Sequence, residues 1–322
     1  FQNLSKGRDF EKMDISVLFS NFTEIRWHMI VMWVIGAILV YLAIKKNMEP
    51  SLLLTMGFGA ILVNLPLSGA VTQGLEIGPV DTLFNAGIAH ELFPLLLFIG
   101  IGAMIDFGPL LSYPKMMLFG AAAQFGIFFT LSLATLVGFE LKDAASIAII
   151  GAADGPTSIF VANYFQSNYT GAIIVAAYSY MALVPIIQPP VIKLVTTKKE
   201  RLIRMPYNPQ GVSKTTKILF PIMITINAGL VAPTSVALVG FLMFGNLIRE
   251  CGVLDNLSKS AQNELANLIT ILLGLSVSTK MQYEQFLNVQ TLMIMGCGLV
   301  AFICDSVGGG MFAKIINLFS KN

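Results

Sequence analysis

The chain has 322 residues, of which 55% are hydrophobic and only 12% charged, and its mean hydropathy is +0.76. Soluble globular domains carry about a quarter charged residues, so this composition excludes that class and places the chain in a membrane. The formal net charge of +2 is too small to point to a nucleic-acid partner; Lys and Arg cluster instead, and in a membrane protein such clusters report orientation.

Cys251, Cys297 and Cys304 are an odd number, far apart and without metal-type spacing, so they read as buried thiols. His28 and His90 are isolated and offer no metal or catalytic pair. No secretory signal is evident, and a start at Phe1 rather than Met points to a trimmed or partial N-terminus.

Residues 1–26 are mixed and charged and read as a surface arm with an interfacial helix. Residues 27–44 form a first span closed by Lys45 and Lys46, which puts those lysines in the cytoplasm and the N-terminus outside. Residues 52–65 are short for a span of about 20 residues and must draw on their flanks. The 66–81 loop has no Lys or Arg, as suits the outer side. Residues 83–105 return inward to the Asp106-Phe-Gly-Pro109 turn, where Asp106 is placed to cap a helix, and 116–138 go out again.

The apolar stretch 144–165 is interrupted by Gly151-Ala-Ala-Asp-Gly-Pro-Thr157. Pro156 lacks an amide hydrogen and disfavours helix at Gly155, which itself tolerates unusual dihedrals. Two half-helices with a carboxylate at the break are expected. At membrane depth a break survives only inside protein or along a polar cavity, and a charged Asp there costs roughly 2.5–3.5 kcal/mol on insertion scales. Carbonyls ending the first half-helix, together with Asp154, make a cation site. If this stretch crossed, 171–192 would end outside. The loop that follows holds Lys193, Lys198, Lys199, Arg201, Arg204, Lys214 and Lys217 and should be cytoplasmic. A re-entrant hairpin entering from outside, its tip near Asp154, satisfies the parity. Residues 218–231 and 233–248 are the next spans, with Arg249 inside. A polar surface helix is expected at 255–263, a span at 264–279, a polar connection at 280–290 and an inward span at 291–319 with a break near Gly308-Gly-Gly310, a run that permits a bend or close helix packing.

The halves resemble each other. Pro50…Gly57-Phe58 matches Pro233…Gly240-Phe241, a shift of 183, and Met117-Leu-Phe-Gly120 matches Met293-Ile-Met-Gly296, a shift of 176. The first half starts outside and the second inside, so the repeats are inverted, an arrangement that places ion sites on discontinuous helices near the midplane. By the same shift, a second hairpin is expected past Asn322. The fold class is therefore all-α, a polytopic membrane protein with two inverted repeats and re-entrant helices. The arm (1–26) is followed by scaffold spans (27–82), the core spans and hairpin of the first repeat (83–192), a basic cytoplasmic loop (193–217), scaffold spans of the second repeat (218–263) and its core spans (264–322).

Gly151-Ala-Ala-Asp-Gly-Pro-Thr157 resembles the signature of the beta subunit of sodium-pumping, biotin-dependent decarboxylases. So do Glu49-Pro50, Gly102-Ala-Met-Ile-Asp106-Phe-Gly-Pro109, Gly120-Ala-Ala-Ala-Gln-Phe-Gly126, Ala176-Ala-Tyr-Ser-Tyr-Met-Ala-Leu-Val-Pro185 with Gln188-Pro-Pro190, and Phe244-Gly-Asn-Leu-Ile-Arg-Glu-Cys-Gly252. The resemblance covers nearly everything from Trp27 onward. It implies a bacterial inner-membrane subunit that decarboxylates carboxybiotin supplied by a partner, consumes a proton and drives Na+ outward. The implied partners are a biotin-bearing carboxyltransferase or carrier subunit, a small membrane-anchor subunit of gamma or delta type, lipid, and further copies of the chain in a homo-oligomer. It also implies that Asp154 and Tyr180 handle sodium and protons, and that an Asn, a Gly, a Ser and an Arg follow in a later segment. A secondary carboxylate transporter of similar architecture is the competing reading.

Each residue has a plainer alternative. Asp154 could be a neutral acid tying the hairpin together. Gly151 and Ala152 carbonyls and the hydroxyls of Thr157 and Ser158 are first candidates for Na+, a hard ion that prefers oxygen, although Ser and Thr in membrane helices often bond back to their own backbone. Tyr180 without the resemblance would be a packing tyrosine, and Tyr178, on a different helix face, is the packing alternative. Asn163, Gln124 and Asn246 read as interhelical hydrogen-bond formers. Asp305 reads as structural.

Overall fold

The computed structural model describes residues 21–47, 49–203 and 212–319. Most of the N-terminal arm and part of the basic 193–217 loop lie outside these. Among the described residues the fold is helical throughout, with one isolated bridge between Gln73 and Glu76. The longer helices are α1 (Trp27–Lys46), α2 (Pro50–Val63), α4 (Leu92–Met104), α6 (Met117–Val137), α9 (Thr170–Val195), α10 (Lys214–Val231), α11 (Val236–Glu250), α13 (Ala266–Val277) and α15 (Val289–Phe319). Between them lie the short α3 (Pro79–Leu83), α5 (Gly108–Ser112), α7 (Leu141–Ala148), α8 (Gly155–Tyr164), α12 (Asp255–Ser260) and α14 (Tyr283–Phe286). Four helical runs are long and apolar enough to cross a membrane, or six if two bent pairs each count as one span. The chain is a multi-pass membrane protein.

Four expectations need correction. The break near Gly308 is absent, and α15 is one continuous helix. A Cβ at Gly308 would lie 3.0 Å from the Ala122 carbonyl, so this glycine serves close packing on α6 rather than a bend. The surface helix at 255–263 and the span at 264–279 are one helical run, Asp255–Met281, joined through a π-helical segment at Ala261–Leu265. Conversely, the span at 83–105 begins earlier, at Pro79, and bends by 62° between Pro79–Ala89 and Leu92–Met104. A second π segment, Phe84–Ala89, precedes that bend. Of the three cysteines only Cys297 is buried; Cys251 and Cys304 are partly exposed.

Packing follows small residues. The most extensive contacts pair α6 with α15, α4 with α11, and α1 with α2. A Cβ at Gly36 would lie 2.6 Å from the Gly57 carbonyl, so α1 and α2 cross backbone to backbone. At the α4–α11 crossing, a Cβ on Gly102 would strike the Leu242 carbonyl. A Cβ on Gly59 would strike the Ser278 hydroxyl, where α2 meets the run beyond α13. Two asparagines lock these crossings. The Asn64 amide donates to Ala60 O and Met281 O, both at 2.8 Å, and its oxygen accepts the Tyr283 N–H at 2.7 Å. The Asn246 amide donates to Ile105 O at 2.8 Å and Gly102 O at 3.3 Å. Asn246 thus makes the interhelical bonds its sequence context predicts.

Charges gather at the helix ends. Asp106 accepts the Gly108 N–H at 2.9 Å, as expected of a cap, and lies 3.6 Å from Lys217, which is also 3.6 Å from Glu250. The Gly108 N–H, with Lys217 and Arg249 nearby, holds the Asp106 carboxyl below its usual pKa.

Candidate functional site

The stretch around Asp154 folds as two short helices with a break. After α7, a 3-10 turn at Ile149–Ala152 ends at Ala153, which adopts a left-handed conformation at φ 52. A non-glycine residue there costs roughly 1–2 kcal/mol, so the surrounding packing must hold the turn in place. Asp154 then runs extended at φ −122 and starts α8, with Pro156 in its first turn, where the missing amide hydrogen does no harm. The hairpin is closed at its base by Asp143. This buried carboxylate accepts the Ser167 hydroxyl at 2.6 Å, the Asn168 N–H at 3.0 Å and the Asn168 amide at 3.4 Å. Asn163 links the hairpin to the π segment through Ile88 O at 3.3 Å.

At the tip, Asp154 and Thr157 come together. Asp154 Oδ2 accepts the Thr157 hydroxyl at 2.6 Å, and Oδ1 accepts the Thr157 N–H at 3.3 Å. Asp154 is therefore the N-cap of α8 as well as the carboxylate of the break. Ser158 is buried and its hydroxyl bonds back to the Asp154 carbonyl at 2.9 Å. Gly151 is buried, while Ala152 is exposed. The donors grouped here are oxygens, the set a hard cation prefers.

Tyr180 lies elsewhere. Its hydroxyl donates to the Met295 carbonyl of α15, and its ring packs where a Cβ on Gly298 would sit, 2.9 Å away and beside Ile150. It thus touches the hairpin through the 3-10 turn rather than through Asp154. Tyr178 is the tyrosine at the tip. Its ring lies 2.5 Å from where a Cβ on Gly155 would be, and its fully buried hydroxyl has no partner. Sequence reasoning assigned Tyr178 to packing and passed over Asp143. A charged residue entering an apolar run was the available signal for Asp143; nothing local marks Tyr178.

Residues 28–322 match the family model described as Na+-transporting oxaloacetate decarboxylase beta subunit. The chain is 48% identical over 299 residues to the glutaconyl-CoA decarboxylase subunit beta of Acidaminococcus fermentans, covering 92% of this chain and 78% of that protein. It is 49% identical over 288 residues to the methylmalonyl-CoA decarboxylase subunit beta of Veillonella parvula, covering 89% and 75%. It is 40% identical over 350 aligned positions to the oxaloacetate decarboxylase beta chain of Klebsiella pneumoniae, covering 91% and 81%.

Proposed function

This chain belongs to the family of Na+-transporting oxaloacetate decarboxylase beta subunits, and on that premise we propose that it is the membrane subunit of a decarboxylase sodium pump whose coupling site is the hairpin tip at Asp154. The observation that carries the site is a carboxylate held at a helix break by a neighbouring hydroxyl and N–H. No observation favours a secondary transporter.

The physical logic is one of exchange. A membrane-depth carboxylate is costly when bare and tolerable when neutralised. Sodium and a proton each neutralise it, and they compete for the same oxygens. Thr157 keeps the carboxylate aimed whichever occupies it, and the Gly151 and Ala152 carbonyls supply further oxygen. Decarboxylation of carboxybiotin on the partner subunit takes up one proton and releases CO2 and biotin. If that proton comes from the site, sodium enters as it leaves. Tyr180, wedged between the 3-10 turn and α15, is the proposed relay and a second sodium contact.

The membrane is the bacterial inner membrane in this reading. The basic residues of 193–217 dock the biotin-bearing subunit. A small anchor subunit, lipid and further copies of the chain complete the assembly. We further propose that the halves are inverted repeats and that α7–α8 is re-entrant. Supporting this, a shift of 176 carries Ile105 onto Met281, so the two asparagine locks correspond to within one position. The Gly59–Ser278 and Leu242–Gly102 approaches also correspond, through shifts of 183 and 176. The π segments at Phe84–Ala89 and Ala261–Leu265 do so too.

The test is Asp154→Asn in the assembled complex. If sodium offsets a cost of roughly 2.5–3.5 kcal/mol, sodium-stimulated decarboxylation falls by about 100-fold while the partner subunits still co-purify. Near-normal sodium stimulation in that variant would remove Asp154 from the mechanism.

A further inference from the structure

Among the described residues, four buried side-chain oxygens make no hydrogen bond of ordinary geometry: Thr130 Oγ1, Tyr178 Oη and both carboxylate oxygens of Asp305, which face the helix-bound N–H groups of Gly126 and Ile127. Buried polar atoms are nearly always satisfied, and each exception needs a reason. Asp305 lies where α6, α15 and the 3-10 turn of the hairpin come together, and Thr130 follows Gly126 by one turn of α6.

Asp305 is 9% exposed and lies in the middle of α15. Its two oxygens point to two glycines. A Cβ at Gly126 of α6 would collide with Oδ1, and one at Gly151 would lie 2.6 Å from Oδ2 and 2.9 Å from Ala301 Cβ. The carboxylate occupies space that any other residue at those two positions would fill. No ion pair among the described residues includes it. Thr130 belongs to the same junction by register. Gly308 faces Ala122 and Asp305 faces Gly126, so α6 and α15 run antiparallel. One further turn along α6 brings Thr130, on the same face as Gly126, toward the Ala301 turn that Gly151 also touches. Thr130 is fully buried.

Buried carboxylates are paired, neutral or bound to a cation. We propose that Asp305 and Thr130, packed against the Gly151 turn, form a second alkali-cation site, separate from Asp154, whose own oxygens are held by Thr157. The inference rests on the sodium-pump reading, because sodium is the hard monovalent cation that reading supplies to an all-oxygen junction. Gly151 lies three residues before Asp154 in the same turn, so an ion at Asp305 and an ion at Asp154 would be sensed by one strained element. Movement of the turn would alter both sites together.

The experiment uses the assembled, detergent-solubilised decarboxylase. Equilibrium binding of radioactive Na+ and the sodium dependence of decarboxylation are measured for wild type, Asp305→Asn and Thr130→Val. Asp305→Asn is expected to bind fewer sodium ions per beta subunit. It should also raise the half-saturating sodium concentration by about tenfold, and Thr130→Val by a few-fold. An Asp305→Asn complex with the wild-type sodium count and half-saturation would overturn the site and leave Asp305 as a neutral packing acid. Should that variant not assemble, Thr130→Val decides: a sodium response indistinguishable from wild type overturns the proposal. A wild-type complex with no sodium dependence would instead overturn the pump reading itself, and the second site with it.

Discussion

At residue scale, the two tyrosines of the Tyr178-Ser-Tyr180 run separate cleanly. They lie two positions apart on α9 and so face different directions. Tyr180 donates to the Met295 carbonyl, whereas the Tyr178 hydroxyl meets nothing although it is buried. Removing a satisfied buried hydrogen bond costs about 1 kcal/mol, and removing an unsatisfied group costs nothing or stabilises. Tyr180→Phe should therefore lower the thermal midpoint of the purified complex, and Tyr178→Phe should leave it unchanged or raise it. The reverse order would mean that Tyr178 is the bonded tyrosine. The sequence marked Asp154 and Thr157 only as oxygen donors at one break; the bond between them lies within one helical turn. The states of Tyr178, Thr130 and Asp305 were not legible, because a missing partner depends on what three other helices bring, and no local pattern records that.

At the scale of the element, the α7–α8 hairpin is held at both ends by carboxylates, Asp154 at the tip and Asp143 at the base. The break itself could be read from Gly155 and Pro156, whose backbone limits act within two residues. The base could not, since Asp143 reaches Ser167 and Asn168 across the whole hairpin. The triple glycine of α15 shows the opposite failure. Its backbone freedom permitted a kink, but packing against α6 decided for a straight helix. Asp143 predicts its own test. A buried hydrogen bond contributes about 0.5–1.5 kcal/mol net, and Asp143→Ala would strip three donors of their acceptor at once. The hairpin base should open locally before the rest of the molecule unfolds, giving faster amide exchange over 165–169. Exchange unchanged there, with only global destabilisation, would mean that the base is held by packing alone.

For the whole molecule, orientation came from a few lysines and arginines, and the argument for a re-entrant hairpin came from parity alone. The geometry supplies an independent reason. Because Asp143 bonds to Ser167 and Asn168, the two ends of the hairpin lie together, whereas the ends of a crossing helix would be about 30 Å apart. Glu140 and Gln166 flank the hairpin and are both exposed, as are Gly74 in the loop without basic residues and Lys198 in the basic loop. In a cysteine-free chain, single cysteines at 140, 166 and 74 should react with a membrane-impermeant maleimide on right-side-out vesicles. A cysteine at 198 should react only after the vesicles are opened. Labelling of 140 and 166 from opposite faces would turn the hairpin into a crossing segment and reverse the orientation of every later helix. The basic loop would then face outward, away from a cytoplasmic biotin carrier, and its docking role would go with it.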